Sequence, residues 1–583
     1  MALSRGARFV LLFITLAVIV SIGGMAMGYY MVSRGPQVES ESVLWLRVPP
    51  VLTERSPDDL LGLLSGDGGS TVGSIVGALR KAKVDDRVTA VVLAPSPGIA
   101  SWAAMQEIRD AVADYRKSGK PIVGYVEFGL APAYYLASAC DEVVMTPSSP
   151  LILVGVAAYE MFLRGALDKL GLEADMVAAG DYKTAINGYT ETTFTPEHRE
   201  ATDALVRDLY EQLADGIAEG RGMTAARVRA LIDEGPFVPA DAVRHGLVDE
   251  LAYEDELLAR LAPDDDEPAT IDAGEYRRVS ARSLGLGGGP RIAVVYAEGP
   301  ILMGSAGGAL PGMSSIIGSR STSRAIRQAR EDDSIEAIVL RVNSPGGDAT
   351  ASDIIWRELV LARDEKPLVA SMSEVAASGG YYIAAPAHSI VAQPGTVTGS
   401  IGVFAGKFAA RGALEKLGVG MEGVTYGAQA DLLSPVDRFS EAGRASMQAQ
   451  VDDIYERFLQ VVVDGREMSR NDVHAVGQGR VWTGRQALDR GLVDELGGLR
   501  EAVELAKAQA GIDADRDVTL VTYPAARSLF DALRVGVRTW STLGGAAAWA
   551  EGPEAETART LWWQARLASR GAPLLLMPPL LVQ

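Results

Sequence analysis

The chain is written twice. RGALDKLG at residues 164–171 returns as RGALEKLG at 411–418, 247 positions further on. The same offset carries Asp85-Asp86 onto Asp332-Asp333 and Tyr134-Tyr135 onto Tyr381-Tyr382. Toward the ends the register drifts by two, with GLVDEL at 246–251 answering GLVDEL at 491–496, as a small loop deletion leaves behind. Repeats of this length are tandem domains and not the turns of a solenoid. A chain of 583 residues exceeds one hydrophobic core, and two copies of about 220 residues match ordinary domain sizes. The expected organisation is an N-terminal segment over 1–39, copies at 40–260 and 291–510, a linker at 261–290 and a tail at 511–583. The linker is charged at Asp264-Asp265-Asp266-Glu267 and glycine-rich at Gly285 and Gly287-Gly288-Gly289, a composition that builds no core.

Short apolar β-rich runs alternate with longer helical patterns in each copy. In the second, Ile292 to Tyr296, Ile335 to Val342 and Leu368 to Met372 read as buried strands. Ala349 to Arg363 reads as a helix with Thr350 or Ser352 near its start as cap. Strands alternating with helices imply parallel βαβ units, so the fold class is α/β.

The two copies differ in their reactive residues. Ser378, in AASGGYY, falls on Ala131 in the first copy, while Lys183, in GDYKTA, falls on Ala430 in the second. Each copy keeps what the other has lost, the pattern left when a nucleophile and a base are divided between halves. Ligands in such sheets collect where strands run into helices. Two loops of the second copy occupy that position: Asn343-Ser344-Pro345-Gly346-Gly347 and Ala376-Ala377-Ser378-Gly379-Gly380. A serine at a strand-to-helix turn presents its oxygen while neighbouring N–H groups face a developing oxyanion. Of the four histidines, His198, His245, His388 and His474, none has an evident carboxylate to orient it. Lysine serves as base when burial disfavours its charged form. Lys183 is the leading candidate, lying among small and apolar residues with only Asp181 charged nearby.

Composition removes other classes. A net charge of −20 leaves no basic face for a phosphate backbone, so nucleic acid is not an expected partner. The single cysteine, Cys140, excludes an intrachain disulfide framework and reads as a small core residue. No HExxH motif or Cys/His cluster calls for zinc, and no metal or organic cofactor is expected. Phe9 to Val32 runs without a charge behind Arg5 and Arg8, long enough to cross a bilayer. An uncleaved anchor with the body on the extracytoplasmic side follows from the positive-inside tendency. The tail carries Trp540, Trp549, Trp562 and Trp563 before the run PLLLMPPLLV, which suits either a membrane interface or packing on the body. Pro573, Pro578 and Pro579 argue against a second spanning helix.

An anchor, tandem α/β copies, VNSPGG, AASGGYYIA, TGSIG at 398–402 and a Tyr-Lys pair in the first copy together resemble the signal peptide peptidase A family in its long, duplicated form. The resemblance spans roughly residues 40–510. It implies two tandem domains of the Clp/crotonase-like fold and a serine endopeptidase with Ser378 as nucleophile and Lys183 as general base. It also implies Ser400 as the hydroxyl that orients the lysine amine, and Gly379 and Gly347 as oxyanion N–H donors. The implied setting is a homo-oligomer, a tetramer, on the bacterial inner membrane with a periplasmic body, degrading signal-peptide remnants and other apolar peptides. Two other classes fit parts of the pattern. A crotonase-type acyl-CoA enzyme shares the fold and holds its oxyanion without a serine nucleophile. A membrane scaffold with a purely structural cavity needs neither Ser378 nor Lys183 intact.

Overall fold

The computed structural model describes residues 38–55, 70–98, 101–262, 269–305, 315–523, 574–577 and 581–582, with 15, 23 and 24 as isolated positions. The expected anchor over 9–32 and most of the 511–583 tail lie outside the described residues. Among the described residues no helix is long and apolar enough to cross a membrane.

Each copy builds its own parallel sheet. In the first, Ser42–Val48, Val88–Pro95, Ile122–Val126 and Glu142–Met145 are flanked by Thr270–Asp272 on one edge and Glu250–Leu251 on the other. In the second, Thr519–Tyr523, Arg291–Glu298, Ile335–Ser344 and Leu368–Ala377 lie side by side. Beyond Leu368–Ala377 the sheet divides, pairing with Ser389–Ala392 at its start and Val397–Gly399 at its end. The apolar runs that form these strands are buried on both faces, as helix-covered parallel strands must be. One large cluster and one smaller cluster of buried side chains lie on each sheet. The fold is mixed α/β.

The expected strands are present and run longer. Leu368–Ala377 continues five residues past Met372, because the polar residues that follow, Ser373 and Glu374 among them, find buried partners. Ala349–Arg363 is helical over the expected range, but its cap is Asp348, which accepts from Ala351 N at 2.8 Å. Ser352 lies within the first turn and donates back to Asp348 O at 2.9 Å.

A third sheet joins the copies. Glu173–Ala179, from the first copy, pairs antiparallel with Val403–Ala409 of the second over seven residues. The same sheet continues through Leu574–Leu576 to Gly346–Asp348, Ile301–Leu302 and Ile317–Gly318. Asp175 fixes the junction: buried, it accepts from Phe439 N at 2.6 Å and pairs with Arg444. Gln212 donates to Pro394 O at 3.0 Å and Asp208 binds Arg485 at 2.8 Å, tying the helix Pro196–Arg221 to the second copy. Arg341, in the middle of Ile335–Ser344, reaches into the first copy to Glu54 at 2.7 Å and Glu107 at 2.6 Å.

Candidate active site

Ser378 stands where the strand Leu368–Ala377 turns into the helix Gly379–Ala384. Its backbone has φ 56° and ψ −115°, a region that residues with a Cβ rarely enter. Two hydrogen bonds hold it there, Ser378 N to Gly399 O and Tyr382 N to Ser378 O, each 2.8 Å. The turn is anchored below by Tyr381, which donates to Leu492 O at 2.9 Å, and by Tyr382, which donates to Asp353 at 2.8 Å. Strain of this kind fixes where the Oγ sits.

The two glycine loops meet at this turn. A Cβ on Gly379 would stand 3.2 Å from the Gly347 nitrogen and 2.7 Å from Ser352 Oγ. Only glycine allows Gly346-Gly347 to lie so close, and Gly346 itself has φ +101°.

Lys183 arrives from the other copy. The strand Glu173–Ala179 docks on Val403–Ala409, and the chain then crosses the 477–480 turn at Gly180, whose φ is +103°. A Cβ on Gly180 would meet the Gln478 carbonyl at 2.4 Å, and one on Gly479 would meet Lys183 Cα at 2.5 Å. Tyr182 N donates to Gln478 O at 2.8 Å and locks the crossing. The Lys183 amine lies 2.8 Å from Ser378 Oγ, 3.0 Å from Ser400 Oγ and 3.1 Å from Ser400 O. Ser400, with φ 50°, is held by its N–H on Arg480 O at 2.7 Å. Lys183 is 2% exposed and Ser378 and Ser400 are 0% exposed. Among the described residues no carboxylate pairs with the amine, and burial pushes its pKa well below the ordinary lysine value. A neutral amine accepts a proton from a hydroxyl 2.8 Å away, which is the chemistry of an activated serine nucleophile.

Comparison with known proteins gives the same division into halves. The Peptidase family S49 model matches residues 114–266 and 361–513, two spans offset by the same 247 positions. The chain belongs to peptidase family S49. The first span holds Lys183, the second Ser378 and Ser400. The chain is 36% identical over 448 residues to "Serine protease SPPA, chloroplastic" from Arabidopsis thaliana, covering 76% of this chain and 66% of that protein. It is 35% identical over 451 residues to "Protease 4" from Salmonella typhi, covering 74% and 72%. Among solved structures it is similar to the 1510-N membrane-bound stomatin-specific protease, with a TM-score of 0.26 and 15% identity over 40% of this chain and 97% of that one. It is a serine peptidase.

In this S49 peptidase each histidine is engaged with a partner other than Ser378. His388 Nδ1 accepts from Leu368 N at 3.1 Å, His474 meets Tyr455 at 3.1 Å, and His245 meets Arg227 at 3.1 Å. His198 departs from the sequence reading, since it does have a carboxylate: Glu160 lies 2.7 Å from its Nε2. The two are 38 residues apart, Glu160 in the loop after Ala158–Tyr159 and His198 on the helix Pro196–Arg221, and only the fold brings them together.

A buried polar network at the seam escaped the sequence reading. Arg341, 1% exposed, binds Glu54, Glu107 and, at 2.8 Å, Ser371. Glu374, four residues before Ser378, accepts from Trp102 N and Ala103 N, each at 3.0 Å, and so caps a first-copy helix whose own Ser101 makes no side-chain cap. Burial pushes the Glu374 carboxyl up to about 7. A signal was present: Arg341 interrupts the apolar run IVLRV, and the offset places it on Ala94.

Proposed function

We propose that this serine peptidase works with a Ser-Lys dyad divided between its two copies. Neutral Lys183 takes the Ser378 proton, Ser378 attacks a peptide carbonyl, and the Gly379 and Gly347 N–H groups hold the oxyanion. Lys183 then protonates the leaving amine and activates the water that releases the acyl group. Ser400 positions the amine through its hydroxyl and carbonyl. The observation that carries this reading is the 2.8 Å contact between a fully buried lysine amine and a serine oxygen at a strained strand-to-helix turn. Both domains are read as Clp/crotonase-like.

The substrates we propose are cleaved signal peptides and other apolar peptides, met at the extracytoplasmic face of the bacterial inner membrane by a body anchored through residues 9–32. Supporting this are the charge-free 9–32 run and the apolar cluster of Met176, Ala185 and Phe404 beside the dyad. A relative from Enterococcus faecium, 36% identical over 199 residues, carries the name "Putative signal peptide peptidase SppA". We also read the protein as a homo-oligomer, a tetramer. The offset places 420–426 on the strand Glu173–Ala179, yet this stretch is exposed, Val424 at 87% and Tyr426 at 91%. A copy of a pairing strand left in solvent with Met421, Val424 and Tyr426 exposed fits a neighbouring subunit.

The test is hydrolysis of a fluorogenic apolar peptide by the full-length chain in detergent, with Ser378→Ala and Lys183→Ala alongside, over pH 6–10. Both variants are expected to be inactive, and the wild-type rate to rise through one ionisation well below pH 10. An active Lys183→Ala enzyme overturns the divided dyad.

A further inference from the structure

Ser400 and Lys183 reach Ser378 on separate segments of chain, and one residue holds both segments. Arg480 ends the 477–480 turn, where its carbonyl accepts from Ser400 N at 2.7 Å and its own N–H donates to Gly477 O at 3.0 Å. Its side chain then crosses to the first copy. The guanidinium carbon lies 5.0 Å from the ring centroid of Tyr182, the residue before Lys183, and 4.2 Å from that of Trp482. Nη2 donates to Glu200 at 2.7 Å, on the first-copy helix Pro196–Arg221. Nε is buried and, among the described residues, has no hydrogen-bond partner. A buried donor left unpaired in a folded protein calls for a reason beyond filling space.

The duplication supplies a control. In the second copy Trp482 faces Thr398 across an antiparallel pair, and in the first Phe237 faces Leu151 across an antiparallel bridge. Thr398 and Leu151 are 247 positions apart, and Trp482 and Phe237 are 245 apart, the drift already seen in GLVDEL. Arg480 therefore falls on Gly235, and Ser400 on Leu153. A Cβ on Gly235 would stand 2.2 Å from the Leu153 carbonyl, so the first copy makes the same strand contact with no side chain at this position. The fold forms without an arginine there. The arginine is present in the copy that keeps Ser378 and Ser400, and its reach ends at the residue beside Lys183.

We propose that Arg480 is a positioning residue of the divided dyad, its guanidinium holding the Tyr182-Lys183 segment of one copy against the Ser400 loop of the other. This rests on the Ser378–Lys183 reading above. The backbone end of Arg480 fixes Ser400, whose hydroxyl and carbonyl both meet the Lys183 amine. The side-chain end fixes Tyr182, one residue from that amine. A planar guanidinium suits the task, because it stacks on aromatic faces and keeps its charge at every working pH. The charged groups around it are Glu200, from the first-copy helix, and Arg490, whose guanidinium lies 3.8 Å from the same Trp482 ring. Losing the clamp lets the lysine segment shift, and a displacement near 1 Å costs about 100-fold in rate.

The experiment measures hydrolysis of a fluorogenic apolar peptide by the full-length chain in detergent over pH 6–10. The variants are Arg480→Gln, Arg480→Lys, Tyr182→Leu, the Arg480→Gln/Tyr182→Leu pair and Arg485→Gln. Arg480→Gln should lower kcat about tenfold or more with KM changed by less than about twofold. The midpoint of its pH–rate rise should move up by about half a unit or more, because water admitted beside Lys183 favours the charged amine. Arg480→Lys keeps the charge but not the plane, so it should behave like Arg480→Gln. Tyr182→Leu removes the same contact from the other side, and the double variant should fall no further than the worse single one. Arg485 ties the same helix through Asp208, so Arg485→Gln should lower the midpoint of thermal unfolding while leaving kcat and the pH midpoint unchanged. The proposal is overturned if Arg480→Gln keeps both kcat and the pH midpoint, if Arg485→Gln loses as much activity, or if the two single losses multiply in the double variant. Where Arg480→Gln does not fold, Tyr182→Leu carries the test, and an unchanged kcat and pH midpoint there overturn the proposal. Failure of the dyad reading looks different, since Lys183→Ala then keeps its activity in an otherwise unmodified chain.

Discussion

Replacing Lys183 by Met should kill the enzyme and take a pH-dependent term out of its stability. The side chains have similar length, and only the amine is lost, with its three hydrogen bonds to Ser378 Oγ, Ser400 Oγ and Ser400 O, each of about 1 kcal/mol net. Burial depresses the folded pKa, so between the folded and free values the unfolded chain binds the extra proton, and wild-type stability climbs by about 1.4 kcal/mol per pH unit through this group. The variant lacks that slope, so it should lose ground to wild type by about 1.4 kcal/mol for each unit the pH is raised. Urea unfolding of both full-length proteins at pH 7.5, 8.5 and 9.5 measures the gap. A gap that does not change with pH means the amine is protonated in the fold, and the base assignment to Lys183 falls with it.

Ser400→Ala removes the hydroxyl 3.0 Å from the Lys183 amine, so kcat should fall at least tenfold with KM nearly unchanged, as steady-state kinetics will register. In Gly479→Ala, the new Cβ would sit 2.5 Å from Lys183 Cα at a backbone φ of +83°. The lysine must shift, and a displacement near 1 Å costs about 100-fold in rate, so peptidase activity should drop far more than the midpoint of thermal unfolding. Arg341→Met leaves Glu54 and Glu107 buried without their cation. A loss of about 3–5 kcal/mol in unfolding free energy is expected, read by urea denaturation, while adding Glu54→Gln and Glu107→Gln to the same chain should recover part of it.

The duplication was legible because an offset is arithmetic on residue names, and so were the central strands, whose apolar runs have one physical outcome in a helix-covered sheet. The asymmetry of Ser378 and Lys183 was equally plain in the letters. Their distance was not: 195 residues separate them, and nothing in GDYKTA or AASGGYY specifies that their side chains meet. That meeting depends on Glu173–Ala179 leaving its own copy to pair with Val403–Ala409, and on Gly180 and Gly479 letting two backbones cross. Strand exchange of this kind is decided by which edge is open nearby, a property of the assembled sheet. Glu374 and Arg341 were hidden for a related reason, since a charge reads as solvated until the surface it faces is known. The tail shows the limit most clearly. PLLLMPPLLV states that the segment is apolar and no second spanning helix, and the sequence alone left it suited to a membrane interface or to the protein body. Only the folded chain brings the edges of Gly346–Asp348 and Val403–Ala409 within reach of one strand, and pairing with those edges, not the letters of the tail, decides where Leu574–Leu576 lies.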